Sequence, residues 1–226
     1  MSSAGPSFLI ARTLPQRLGV FVDVQNMFYS AKLLHQSKID YGRLLKEIVG
    51  SRQLVRALAY IVRKADVDQS SFHEALRRHG YELKIKELKV RADADGQTSV
   101  AKASWQVAIA VDAIMLAPKL DTVALVTGDG DHVPLVECLK LHGCRVEVFS
   151  FDRSTSGELI KAADEYVPIQ PEWMFKEEKF LNAQPQGLHS GLGSTARGTI
   201  YEGLPRDEDL DAESRAAEQN PHYGQA

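Results

Sequence analysis

The chain has 226 residues, 44% of them apolar and 25% charged, with a formal net charge of −3. That is enough for one substantial core and an appendage, and a pI near 6.2 argues against wholesale coating of nucleic acid. The longest apolar stretch, 107–116, is broken by Asp112 and is too short to span a bilayer. No basic-then-apolar leader is evident, and Cys138 and Cys144 form neither a CxxC pair nor a zinc pattern, so a reduced, cytoplasmic protein with no membrane attachment is expected.

In chain order, residues 1–15 read as a flexible segment, followed by a strand over 18–23 and helices over 26–35 and 41–49. A strand over 54–62 leads to a helix over 68–79, with Gly80 as its cap. Residues 82–88 alternate like an exposed strand, and 91–98 read as a polar loop with an Asp95-Gly96 turn. A helix over 101–117 ends near Pro118. Beyond it come a strand at 122–126, a helix at 132–142 capped by Gly143, a strand at 145–149, a short helix at 157–162 and a strand at 165–169. Such alternation predicts an α/β sandwich with a mostly parallel central sheet flanked by helices. A helical extension is expected over 171–182. From 183 onward, seven acids against three arginines give −4 and leave +1 on the body. With few large apolar residues to offset the entropy of ordering, this acidic tail is expected to be disordered.

Two acidic signatures stand out. Val20-Phe21-Val22-Asp23-Val24-Gln25-Asn26 closes the first strand, and Thr127-Gly128-Asp129-Gly130-Asp131 follows the strand at 122–126. Ligands of open parallel sheets sit beyond the carboxyl ends of the strands. Carboxylates placed there repel one another unless a cation neutralises them, and hard oxygen donors suit Mg²⁺ or Mn²⁺. Asp23, Asp129 and Asp131 are therefore the candidate metal ligands. Each also has a plainer role available, as a turn former or helix cap.

These motifs, together with the helix Lys102-Ala103-Ser104-Trp105-Gln106-Val107-Ala108-Ile109-Ala110-Val111-Asp112, resemble the NYN domain in order and spacing from about residue 16 to 170. Within that family they are similar to the LabA-like branch of the PIN-fold proteins. The resemblance implies a Rossmann-like PIN fold, an acidic Mg²⁺ or Mn²⁺ site, RNA as substrate and ribonuclease activity. Position by position, it implies metal binding by Asp23, Asp129 and Asp131, catalytic support from Asp112, and an asparagine near the first acid at Asn26. One position departs: many relatives carry Lys-Gly-x-x-Asp ahead of the central helix, and here Gln106 stands where that acid is expected.

Asp112 lies in a helix apolar on nearly every side, expected to be buried. A carboxylate there needs a cation or a hydrogen-bonding partner, so a ligand role and a salt bridge to a lysine both remain open. On a helix, positions 106 and 112 lie roughly 120° apart and cannot act as equivalent ligands. Asn26, Thr127 and Lys102 are candidates to orient water or phosphate. Lys84, Lys86, Lys89 and Arg91 suit either phosphate binding or protection of an edge strand. His132, beside Asp131, could ligate a metal or shuttle a proton, though a first-turn histidine is more often solvated; Cys138 and Cys144 read as core, and Phe28, Tyr29 and Trp105 suit base stacking, with core packing the default. Gln25, two residues after Asp23, excludes the paired aspartates of haloacid-dehalogenase-type phosphatases, and no GxxxxGK[ST] or GxGxxG loop is present.

The expectation is a metal-dependent RNA phosphodiesterase. The alternative is a catalytically weak NYN-like module that binds RNA or a protein partner in regulation. The sequence leaves open a protein partner held through the acidic tail, and a homo-oligomer.

Overall fold

The computed structural model describes residues 15–63, 68–87, 90–92, 98–100 and 104–175. Lys89, the Asp95-Gly96 turn, Lys102, the first 14 residues and the acidic tail lie outside them.

β1 (Arg17–Asp23), β2 (Gln53–Arg63), β3 (Glu82–Glu87), β6 (Thr122–Val126), β7 (Arg145–Ser150) and β8 (Glu165–Pro168) form one sheet in the order β3-β2-β1-β6-β7-β8. Every neighbouring pair is parallel. Leu18 to Val22 and the whole of β6 are buried, as unbroken apolar strands covered on both faces should be. α1 (Val24–His35), α2 (Tyr41–Val49) and α3 (Ser70–Arg78) cover one face, packing Met27, Leu44, Ile48, Phe72 and Leu76 against Val20 and Val22. α4 (Gln106–Leu116), α5 (Val133–Leu141) and α6 (Gly157–Ala162) cover the other, packing Ile109, Ala113, Leu135, Leu139 and Leu159 against Phe21 and Leu125. Among the described residues, no helix is long and apolar enough to cross a membrane.

This order decides where a site can form. From β1 the chain winds outward through β2 to β3, then returns to β6 and winds the other way. The crevice at such a reversal, beyond the strands' carboxyl ends, is where open α/β sheets take ligands. Asp23 ends β1, and Thr127 to Asp131 follow β6 at once.

Local departures from the sequence reading have physical causes. α1 starts at Val24, two residues early, because Asp23 itself is the N-cap. The expected loop at 91–98 is flanked by a two-stranded antiparallel ribbon, β4 (Val90–Ala92) with β5 (Thr98–Val100). The central helix begins at Gln106 rather than 101. Ser104 and Trp105 precede it, held where Lys86 Nζ donates to the Ser104 carbonyl at 2.8 Å and lies 4.2 Å over the Trp105 ring. That helix is also not buried all round: Ile109 and Ala113 face the core, whereas Val107 and Met115 are 78% and 73% exposed. The expected extension over 171–182 shows a 3-10 turn at Pro171–Trp173, after which Met174 is extended and bridges Ile39. Residues 176–182 lie outside the described part.

Candidate active site

The register puts three functional positions in a row. Asp23 pairs with Tyr60 of β2, and Val22 pairs with Val126, so the first residue after β6 lies level with Asp23. Asp23 and the Thr127–Asp131 loop thus share one edge of the sheet, as the metal reading requires.

Asp23 Oδ1 accepts the Asn26 N–H at 3.0 Å, an N-cap bond. Burial pushes its carboxyl up to about 6. The charge of Asp129 adds to this, and the backbone N–H groups of Asn26 and Gln25 work against it. The two backbone donors thus do not offset the desolvation of this carboxyl.

Asn26 ties the two signatures together, because its Oδ1 accepts the Gly128 N–H at 2.9 Å. Gly128 itself is obligatory: a Cβ there would collide with the Ser154 carbonyl and the Ser150 hydroxyl. Thr127 is 2% exposed, and its Oγ1 accepts the Asp129 N–H at 3.2 Å. The Thr127 hydroxyl, expected to orient water or phosphate, holds the loop from within through this bond. Asp129 Oδ1 accepts the Asp131 N–H at 3.0 Å, capping a 3-10 turn over Gly130–His132.

The remaining oxygens meet Gln106. Its Nε2 donates to Asp129 Oδ2 at 2.6 Å and to Asp131 Oδ2 at 3.0 Å. The position where an acid was expected therefore does reach the acidic site, and an uncharged amide joins the two carboxylates there. Ser104 Oγ contacts Gln106 Oε1, which leaves the amide nitrogen facing the acids. Sequence reasoning passed over Ser104, whose only signal is a hydroxyl two residues before the glutamine.

Other candidates stand elsewhere. Asp112 Oδ2 accepts the Tyr60 hydroxyl at 2.9 Å and lies 3.4 Å from Lys84 Nζ. Of the two roles open to Asp112, the contacts match the lysine salt bridge, with an unforeseen tyrosine added. His132 is 1% exposed rather than solvated, and burial draws its imidazole below the usual range against the opposing pull of Asp129 and Asp131. Its Nε2 has no hydrogen-bond partner among the described residues. Cys138 is partly exposed, with Sγ 3.8 Å from His142 Nδ1, while Cys144 is buried as expected. Phe28 and Trp105 are core residues. Lys84 and Lys86 lie on the exposed edge strand β3.

The donor set is chemically suited to a hard divalent ion. The atom Nε2 marks a point within 3.0 Å of oxygens from both Asp129 and Asp131, with the partly buried Asp23 close enough to feel the charge of Asp129. Among the described residues, however, no three Asp, Glu, His or Cys side chains already converge as a metal cage. The arrangement offers two carboxylates at one point, with a third at the same edge of the sheet.

Comparison with known proteins agrees with this geometry. The NYN domain family matches residues 17–170. The chain is similar to the low amplitude and bright protein LabA of Synechococcus elongatus, 31% identical over 158 residues, covering 69% of this chain and 84% of that protein. Its fold is similar to the crystal structure of a protein of unknown function from Vibrio parahaemolyticus. That match has a TM-score of 0.65 at 35% identity, covering 72% of this chain and 98% of the other.

Proposed function

The chain belongs to the NYN domain family, and from that premise we propose that it is a metal-dependent phosphodiesterase that cleaves RNA, with Asp23, Asp129 and Asp131 holding Mg²⁺ or Mn²⁺. The observation that carries this reading is the meeting of the Asp129 and Asp131 oxygens at one point, at the switch point of the sheet and on the edge that also carries Asp23. When bound, the metal supplies an activated water and neutralises charge that builds on the phosphate as the P–O bond breaks.

The chain's own residues supply position. Asp23, fixed by its cap bond to Asn26, presents a carboxylate from a strand end that cannot shift without moving α1. Asn26 and Thr127 hold the Gly128–Asp129 backbone, which sets the direction of both downstream acids. Lys84 and Lys86, on the edge strand, offer positive charge to a polyanion.

A second reading rests on Gln106. An amide in place of an acid leaves the site one negative charge short, which favours a catalytically weak module that binds RNA or a protein partner.

The deciding assay incubates the purified full chain with a mixed panel of RNAs in Mn²⁺ or Mg²⁺. Cleavage that stops with EDTA and in Asp129→Asn supports the nuclease. Retained RNA binding without cleavage supports the second reading, and cleavage that survives Asp129→Asn belongs to a contaminant.

A further inference from the structure

We propose that Gln106 is a latch on the acidic site: its side-chain amide takes the place of a cation between Asp129 and Asp131, and a divalent ion must displace it to bind. The inference rests on the proposed metal reading of that site and adds how the site is regulated.

The argument starts from charge. Two carboxylates drawn to one point without a cation repel each other. Here a single nitrogen carries hydrogens to both, at 2.6 and 3.0 Å, and donors to ionised acceptors make stronger bonds than neutral pairs do. The amide is uncharged, so it holds the pair less tightly than a divalent ion would, yet well enough to shape the loop without one.

Its orientation is set from behind. Ser104 Oγ contacts Gln106 Oε1 and also accepts the Gln106 backbone N–H at 3.3 Å. With the amide oxygen occupied, the NH₂ end is the end left to face the acids. Trp105, between the two, is pinned in the core against Tyr60 and beneath Lys86. The start of α4 is thus anchored, and release needs only rotation of the Gln106 side chain. An acid at this position would add a ligand and a negative charge; glutamine raises the ion concentration at which the site fills.

Isothermal titration of Mn²⁺ alone into the full chain, started metal-free, tests the latch without relying on activity. Gln106→Ala removes the competing donors and should bind Mn²⁺ about tenfold more tightly than the parent, the equivalent of one charge-assisted hydrogen bond lost from the metal-free state. Ser104→Ala, which loosens the amide without removing it, should shift affinity in the same direction by less. Without metal, Gln106→Ala should lower the melting temperature of the parent but not that of Asp129→Asn, where one acceptor charge is already gone. Affinity in Gln106→Ala equal to or weaker than the parent's, with Asp129→Asn still abolishing binding, overturns the latch and leaves the metal site standing. No binding in parent, Gln106→Ala or Ser104→Ala overturns the metal site and the latch with it.

Discussion

The Tyr60 hydroxyl donates a 2.9 Å hydrogen bond to Asp112 Oδ2, joining the middle of α4 to the central sheet across 52 residues of sequence. Burial and this bond together push the phenol well above its usual range, so Tyr60 acts as a permanent donor. Lys84 approaches the same oxygen at 3.4 Å. A carboxylate on a helix that faces the sheet is thereby neutralised by its own neighbours.

Asp112 should accordingly act through stability. Asp112→Asn and Tyr60→Phe are each expected to cost about 1–2 kcal/mol. Their double mutant should lose less than the sum, because both remove one bond. Chemical denaturation measures this, and Mn²⁺ affinity should stay at the parent's value. Loss of Mn²⁺ binding in Asp112→Asn would instead make Asp112 a ligand.

Asp23 gives a pH signature. In the folded protein its carboxyl keeps a proton up to about pH 6, whereas in the unfolded chain it releases it near pH ~4. Ionisation is thus harder in the folded state. Its contribution to stability is present below about pH 4 and is lost as pH rises through about 6. Asp23→Asn keeps a competent N-cap and removes this cost. The metal-free variant should be more stable than the parent at pH 7 by about 3 kcal/mol, roughly two pKa units' worth, with the two converging at pH 4. Thermal melts across that range check the sign; a difference that grows toward low pH would refute the assignment.

The bond from Gly128 N–H to Asn26 Oδ1 links the two acidic signatures. Asn26→Ala leaves that N–H unpaired at the back of the site and should cost about 1–2 kcal/mol while weakening Mn²⁺ binding, as Asp129 loses its fixed direction. Gly128→Ala should be more damaging, since its Cβ would meet the Ser154 carbonyl, which cannot move aside as a side chain can. Equal Mn²⁺ affinity in Asn26→Ala and parent would show that the loop holds its own shape.

Much of the scaffold was legible in local pattern. The bounds of α2, β6 and α6 match the sequence reading, because each is an apolar run or amphipathic turn between clear stop signals. The placement of Asp23 and Asp129 at strand ends follows from the same runs. The all-parallel order then puts both on one edge, since parallel neighbours share their carboxyl ends.

Partner choice was not legible. Gln106 meets Asp129 and Asp131 from 23 and 25 residues away, and Asp112 meets Tyr60 from 52. Nothing in the apolar pattern of α4 tells that Val107 and Met115 face outward while Ile109 faces in, as both kinds of residue are hydrophobic. Periodicity and turn chemistry act over a few residues, so the sequence by itself determined the strands, the helices and the acids at their ends. Only packing across the sheet determines the rotation of α4 about its axis, and that rotation decided that an amide closes the acidic pair while Asp112 turns to tyrosine and lysine.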